Sequence, residues 1–420
     1  MATANTSSAR GVAETVTIER LGHGGDGIAV AGDGARVFVP MTLPGETVEI
    51  ERDGERGRLV RVVEASADRV PPVCPNFGRC GICALEHMAA PAYLAWKREQ
   101  VVAALAQRGI ETDVAPMVPI APGSRRRAIF SAIGSARGVV LGFHERGSET
   151  IVDIDTCAVL VPPIVAKLPR LKEIAARVLP RFKPARITVL ATDNGLDIAF
   201  AGTGKPERKQ LEHLAVFAAD RSIARLTVDG VEVFRNALPE LPAGPARLLP
   251  VAGGFTQAAA NAEAAMADAV VAHVGKAAPV ADLFAGIGTF TFRLAARAAV
   301  TAVEGEADLV AAIEAAARRA TGIKRVTAKR RDLFRNPLAP PELEPFGAVV
   351  FDPPAAGAKA QAEMLAKSRV PLIAAVSCNP ATLARDARIL IDGGYRLTRV
   401  IPVDQFLFSS EIEAVALFTR

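Results

Sequence analysis

The residues best equipped for chemistry lie in Ser377-Cys378-Asn379-Pro380. Cys378 is one of five cysteines among 420 residues, and it follows the apolar run Ile373-Ala374-Ala375-Val376, which predicts a buried strand. A thiol at the carboxyl end of a strand in an open α/β sheet stands where such sheets bind ligands. The strand expected before it, Ala348-Val349-Val350-Phe351, ends in the same way, in Asp352-Pro353-Pro354. Two neighbouring strand ends thus offer a nucleophile and a carboxylate. The competing reading of Cys378 is an inert buried thiol, because free cysteine is among the most buried residue types and its reactivity depends on its surroundings.

A second constellation points to a cofactor. Val280-Ala281-Asp282-Leu283-Phe284 predicts a strand, Ala285-Gly286-Ile287-Gly288-Thr289 a glycine turn, and Phe290 to Arg297 a helix. Glycines at such a turn let a ligand approach the backbone closely. A further strand, Val300-Thr301-Ala302-Val303, ends in Glu304, at about the spacing expected of an acid that binds ribose hydroxyls. The third glycine of a dinucleotide loop is missing. The shortened loop and the acid before it favour a nucleoside-bearing ligand such as S-adenosylmethionine over a dinucleotide.

The remaining cysteines form a third group. Cys74, Cys80 and Cys83 give Cys-x5-Cys-x2-Cys, and Cys157 supplies a distant fourth thiol. Four thiolates suit a tetrahedral zinc or a [4Fe-4S] cluster, and the spacing alone does not separate the two.

These residues need elements to position them. Length predicts two or three domains. Residues 1–13 are small and polar and predict a disordered tail. Residues 14–66 read as five short strands with turns at Gly24-Gly25-Asp26-Gly27 and Asp53-Gly54, which suggests a small closed barrel of the oligonucleotide-binding type. Residues 67–253 hold the cysteine cluster and an α+β mixture that includes Arg125-Arg126-Arg127, a charge run that reads by itself as a solvated face. From 254 to 420 strands and helices alternate, as in a mostly parallel sheet. Net charge is only +5, which permits nucleic-acid binding without demonstrating it. No apolar signal opens the chain, and its most apolar stretch, 277–292, is too short to span a membrane, so a cytoplasmic protein is expected. In a reducing compartment, five cysteines argue for metal or catalysis over disulfides.

Taken together, the chain resembles the bacterial uracil-carbon-5 RNA methyltransferases, which make 5-methyluridine in ribosomal and transfer RNA. The likeness covers nearly the whole chain. It includes a TRAM-type barrel at 14–66, the cysteine cluster, Leu141-Gly142-Phe143 through Ile151-Val152-Asp153, and Phe255-Thr256-Gln257. It continues through 282–288, Asp352-Pro353-Pro354, Ser377-Cys378-Asn379-Pro380 and Asp404-Gln405-Phe406 with Ile412-Glu413. The resemblance implies a Rossmann-like class I methyltransferase domain, Cys378 as nucleophile and Glu413 as base. It implies S-adenosylmethionine contacts at Gln257, Phe284, Gly286, Gly288, Glu304 and Asp352, with Thr289 at a further position. It also implies a [4Fe-4S] cluster, in preference to zinc, on Cys74, Cys80, Cys83 and Cys157. Barrel plus cluster favours 23S ribosomal RNA over transfer RNA as the partner; neither a membrane nor a protein partner is implied.

Four positions depart from the family's usual pattern. Ala355 stands where Arg is common, Glu411 where His is common, Leu407 replaces a Pro and Ala259 an Asn. They raise a competing reading, a catalytically impaired RNA-binding iron–sulfur protein, against which stand the intact Cys378 and Glu413. A DNA cytosine methyltransferase fits less well, because there the nucleophile follows a proline, whereas Pro380 comes two residues after Cys378. Glu411 and Glu413 are two apart and share a face if the chain is extended, so the sequence leaves Glu411 open as a second player.

Overall fold

In the strand Thr47–Asp53, Val48 and Ile50 are buried while Thr47, Glu49 and Glu51 are not. This period of two is what a half-buried strand requires. Four similar strands join it in a closed barrel: β1 (Val12–Leu21), β2 (Gly27–Val30), β3 (Arg36–Val39), β4 (Thr47–Asp53) and β5 (Arg56–Glu64), in the order β1-β2-β3-β5-β4. Closure of β1 against β4 leaves no open edge. Val16, Ile18, Val37, Val39, Val48 and Ile50 fill the interior. The computed structural model describes residues 12–136, 138–180, 182–204 and 207–420. The expected tail over 1–11 therefore lies outside the described residues. Val12 and Ala13 belong to β1, because they pair with Arg52 and Glu51.

The chain divides into two compact units. One runs to Trp96 and includes Phe408–Ser410; the other comprises Lys97–Leu407 and Glu411–Arg420. The second unit contains two large sheets. The first consists of β6 (Arg127–Ser135), β7 (Gly138–His144), β8 (Ile151–Asp153), β9 (Ala185–Thr192), β10 (Gly195–Ala201), β11 (Ile223–Val228) and β12 (Val231–Arg235). Its order is β12-β11-β10-β9-β6-β7-β8, and only β10 and β11 run parallel. A hairpin of β13 (Leu241–Ala243) and β14 (Ala246–Leu248) follows.

The last sheet positions the chemistry. Its strands are β15 (Val280–Leu283), β16 (Val300–Glu304), β17 (Val326–Arg330), β18 (Ala348–Phe351), β19 (Leu372–Ser377), β20 (Arg396–Val403) and β21 (Glu413–Thr419). The order is β17-β16-β15-β18-β19-β21-β20. The first five are parallel and β21 runs antiparallel to both its neighbours. All four residues of β15 and of β18 are buried, as expected of strands covered on both faces. The helix Ala260–Val274 packs Met266, Ala267 and Val270 into the core on one face. On the other, Phe292, Ile313 and Ala316 pack with the hairpin residues Leu241 and Leu248. The expected barrel and the mostly parallel C-terminal sheet are thus both present. Among the described residues no helix is long and apolar enough to cross a membrane.

The order reverses between β15 and β18, which is where an open α/β sheet binds its ligand. The helix after the glycine turn is shorter than the sequence suggests: it runs only Thr291–Ala295, not Phe290 to Arg297. Gly288 has φ +97°, and a Cβ there would stand 2.6 Å from Phe292 Cε2, whereas one on Gly286, at φ +58°, would meet open space. Gly286→Ala is therefore expected to cost about 1–2 kcal/mol from backbone strain alone. Gly288→Ala adds an overpacking penalty of about 1–3 kcal/mol. Urea unfolding of the full chain should give the lower midpoint for Gly288→Ala; equal midpoints would contradict the close approach.

Candidate active site

Ser377-Cys378-Asn379-Pro380 is a strand-to-helix turn whose residues each have a local task. Ser377 ends β19, and the helix Pro380–Asp392 begins two residues after Cys378. Asn379 is its N-cap, accepting hydrogen bonds from the amides of Ala381 at 3.0 Å and Thr382 at 3.4 Å. Pro380 takes the first helical position, where the missing N–H costs nothing. Cys378 is left at the helix entrance, half-buried. The carbonyl of Ala355 ties the Asp-Pro-Pro loop to this turn, accepting from Asn379 Nδ2 at 3.3 Å and Thr382 Oγ1 at 3.1 Å. No cation stands at 355, but the Arg385 guanidinium donates to Ala356 O at 3.0 Å.

Antiparallel pairing brings a second acid to the same end of the sheet. Ala414 lies opposite Ser377, so Glu413 begins β21 at the level where β19 ends. Glu413 is buried, whereas Glu411 is exposed. Glu411 precedes the strand, so the two glutamates do not share a strand face, and only Glu413 is buried.

Two amides link Glu413 to Asp352. Gln257 Nε2 donates to Asp352 Oδ2 at 3.0 Å, and Gln257 Oε1 accepts from Gln405 Nε2 at 2.7 Å. Gln405 Nε2 donates also to Glu413 Oε1, at 3.1 Å. The amide nitrogen of Gln405 thus spends both hydrogens on the site. Glu413 Oε2 is buried with no hydrogen-bond partner among the described residues. The sequence places Gln405 inside a motif but assigns it no role. Its task is visible only once residues 257, 352, 405 and 413 meet in space.

The electrostatics follow from crowding carboxylates in a buried place. Burial raises the Glu413 carboxyl well above its ordinary value, and the charge of Asp352 adds to this while the Gln405 hydrogen bond opposes it. Asp352 is pushed up to about 7 by burial, against the hydrogen bond from Gln257. Cys378 rises to about 11, first through burial and then through the charges of Glu413, Asp352 and Glu411. A helix N-terminus lowers a thiol's pKa; here burial and the carboxylates win.

The glycine-turn side is assembled by backbone amides. Glu304 accepts from the amides of Gly286 at 2.9 Å, Gly305 at 2.6 Å and Glu306 at 3.1 Å, which fix its carboxylate beside the glycine turn. A carboxylate offers about four lone-pair sites, so one remains for a hydroxyl. Phe284 adopts φ +57°, rare for a side chain of this size, and its ring stands 5.2 Å from that of Phe334. Asp282 is buried beneath the turn, accepts from Thr291 Oγ1 at 2.5 Å, and is raised to about 7 by burial. The Thr289 carbonyl accepts from Arg293, whose guanidinium shares Glu263 with Arg126 at 2.6 Å each. Arg126 also donates to the carbonyl of Gln257 at 3.2 Å. The middle of the arginine triplet is therefore a buried tie from the turn to Gln257 and not a solvated charge. Ala259 is the N-cap of the helix Ala260–Val274 and offers no capping side chain, unlike the Asn common there.

Cys74, Cys80 and Cys83 lie in the first unit and Cys157 in the second, each half-buried. Their loop is folded back by Phe77 N–H to Cys74 O at 3.1 Å and Cys80 N–H to Asn76 O at 2.9 Å. Glu86 accepts from the amides of Val73 at 3.0 Å and Cys74 at 2.7 Å. Thiols are the donors that iron–sulfur clusters take. Among the described residues no three His, Cys, Asp or Glu side chains are gathered as for a single metal ion.

Comparison with known proteins places this geometry. Residues 248–420 match the family described as tRNA (Uracil-5-)-methyltransferase, and residues 8–51 match the TRAM domain. An uncharacterized RNA methyltransferase of Brucella suis is 47% identical over 96% of this chain and 97% of its own length. The 23S rRNA (uracil(1939)-C(5))-methyltransferase RlmD of Shewanella amazonensis is 33% identical over 96% of this chain and 94% of its own. A crystal structure of the Pyrococcus abyssi tRNA (uracil-54, C5)-methyltransferase with S-adenosyl-L-homocysteine shares the fold, with a TM-score of 0.72 at 21% identity, over 97% of this chain and 100% of that one. With a TRAM match in its N-terminal part, a uracil-5-methyltransferase match over 248–420 and full-length relatives, the chain belongs to the RNA (uracil-5-)-methyltransferase family.

Proposed function

We propose that this enzyme methylates a uridine of 23S ribosomal RNA, with Cys378 as nucleophile and Glu413 as base. The observation that supports the roles is that the half-buried Cys378 and the buried Glu413 stand at the same end of the sheet, with Glu413 Oε2 unclaimed by any hydrogen bond among the described residues. The preference for 23S over transfer RNA draws on the full-length likeness to the Shewanella amazonensis enzyme and on the cysteine cluster.

Carbon 5 of uracil is a poor nucleophile. Addition of the Cys378 thiolate to carbon 6 pushes the ring electrons onto oxygen 4 and makes carbon 5 enolate-like. S-adenosylmethionine supplies the methyl group that carbon 5 takes up. Glu413 then removes the carbon-5 proton, the ring electrons return, and the carbon–sulfur bond breaks to release the thiolate and 5-methyluridine. A positioned base of this kind contributes about 10²–10⁴-fold. Asp352 and Gln257 turn polar atoms toward the enclosed end, and Glu304 with the Gly286–Gly288 turn holds the nucleoside part of the cofactor. A base inside a helix cannot reach such a site, so the target uridine is looped or flipped out.

We further propose that Cys74, Cys80, Cys83 and Cys157 ligate a [4Fe-4S] cluster. The thiol chemistry and the family resemblance support this, and no step of the methylation is routed through the cluster.

Two outcomes test these roles. Mapping 5-methyluridine in ribosomal and transfer RNA of cells with and without the gene should show one 23S position lost; loss from transfer RNA instead would transfer the assignment. In vitro, Cys378→Ala should bind RNA without forming an adduct. Glu413→Gln should complete methyl transfer and accumulate a denaturation-resistant protein–RNA band. Normal turnover of Glu413→Gln, with trapping in Glu411→Gln, would move the base to the exposed glutamate.

For the cluster, anaerobically purified protein should be brown, with four irons per chain expected for one Cys₄-ligated cluster. Substituting any of Cys74, Cys80, Cys83 or Cys157 should bleach it, and Cys378→Ser should not. Colourless protein holding one zinc would refute the iron–sulfur assignment.

A further inference from the structure

The charge of this chain is unevenly placed. Between Arg318 and Arg335 stand eight Lys and Arg residues and a single acid, Asp332, a surplus of seven positive charges. The whole chain has a surplus of only five, so everything outside these residues is net acidic. The segment comprises the end of the helix Ala307–Arg319, the turn after it, β17 and the turn beyond.

β17 is a terminal strand with only β16 beside it. The opposite terminal strand, β20, is bridged along its free side by Val114 and Val118. Lys324, Arg325, Lys329 and Arg330 are exposed, and among the described residues none of the four is in an ion pair. Their neighbours are partnered: Arg319 with Glu240, Arg331 with Glu342 at 2.6 Å, and Arg335 with Asp332 at 3.6 Å. Crowding like charges on one edge destabilises a fold through self-repulsion. An anionic partner relieves that cost.

The edge is also close to the reaction. Arg330 is in register with Glu304, the Arg331 amide donates to the Glu304 carbonyl at 2.8 Å, and the half-exposed Phe334 ring meets Phe284. Four strand spacings separate β17 from β19, which is about 19 Å at the usual distance between strands.

We propose that the outer edge of the methyltransferase sheet, from Lys324 to Arg330, is a phosphate-binding track for the RNA that carries the target uridine. The proposal rests on RNA being the substrate and deepens that reading. The track reads charge and not sequence, because phosphate contacts set register and affinity while base contacts specify. Its occupant is RNA outside the reacting nucleotide, since Cys378 lies several strands away.

The test is the triple variant K324E/R325E/K329E in the full-length protein. Arg330 is spared because its guanidinium donates to Gly305 O beside the cofactor turn. Binding to an in vitro transcript of 23S rRNA is measured by filter retention between about 50 and 200 mM salt. Three lost phosphate contacts should make the slope of log K against log salt shallower by about 2 and weaken binding by about ten-fold or more at low salt. KM for the transcript should rise with kcat unchanged, because uniform binding is removed. S-adenosylmethionine affinity by calorimetry should not change. The neutral triple K324Q/R325Q/K329Q should shift slope and affinity in the same direction by less, and it covers the case in which charge reversal prevents folding.

Unchanged slope and affinity in both variants would overturn the proposal. So would aggregation of the variants with RNA binding intact, since the charges would then only keep an open edge from pairing with other chains. Failure of the uracil reading would appear instead as wild-type protein that leaves no 5-methyluridine in any RNA, and the salt slopes would still decide whether the edge binds phosphate.

Discussion

The site depends on a short chain of hydrogen bonds, from Asp352 through Gln257 and Gln405 to Glu413. Two carboxyl groups enclosed at one end of a sheet repel each other when both ionise and lose solvation in any case. Primary amides are suited to bridge them, since each has an acceptor oxygen and a two-hydrogen donor. Gln257 uses one of each, and Gln405 uses both hydrogens. The bridge orients Glu413 so that one oxygen is tied and the other is left for a proton. Asp352 follows β18 and Glu413 opens β21, and β19, which leads to Cys378, runs between those two strands. Sheet order and hydrogen bonds therefore place these groups jointly, and loosening either would displace Glu413 relative to the Cys378 thiol.

The segment that delivers Gln405 needs its own anchor. Lys97 and Asp404 are both fully buried and lie 2.5 Å apart, and the Lys97 ammonium donates also to Phe406 O at 3.2 Å. Burial pulls the Lys97 ammonium down, and Asp404 with Glu411 pulls it back up. A buried ion pair is a weak source of net stability, because desolvation offsets its attraction. Its consequence here is geometric. The pair brackets Gln405 between two fixed neighbours, and the Arg126–Glu263–Arg293 group fixes Gln257 in the same way. Both ends of the amide bridge are thus braced by buried charge.

These braces explain which parts of the site could be read from the sequence. Cys378, Asp352 and Glu304 were legible because each follows an apolar run that can only be a buried parallel strand, and position at a strand's carboxyl end is itself a functional signal. Asn379 and Pro380 carry a local capping signature that reads equally well. Gln405, Lys97 and Arg126 carry none. Lys97 meets Asp404 across 307 residues and Gln405 meets Gln257 across 148, so no window of sequence contains either pair. Arg126 misled for the same reason: a triple arginine looks solvated until Glu263 is placed against it. The exposed and buried settings of Glu411 and Glu413 were likewise hidden, because they depend on where β21 begins relative to β19. The short helix at Thr291–Ala295 escaped prediction because Phe290 is its N-cap, and no periodicity marks where a five-residue helix stops.

The thiol's surroundings oppose the effect of the helix it precedes. Left to the helix N-terminus alone, Cys378 would tend toward thiolate and would be open to any passing electrophile or oxidant. Burial and three carboxylates reverse that tendency and place its pKa at about 11. Burial and the neighbouring carboxyl groups thus hold the thiol toward its protonated form. Whatever neutralises the acidic end of the sheet also favours the thiolate, since the same charges raise Cys378 and are relieved by positive charge.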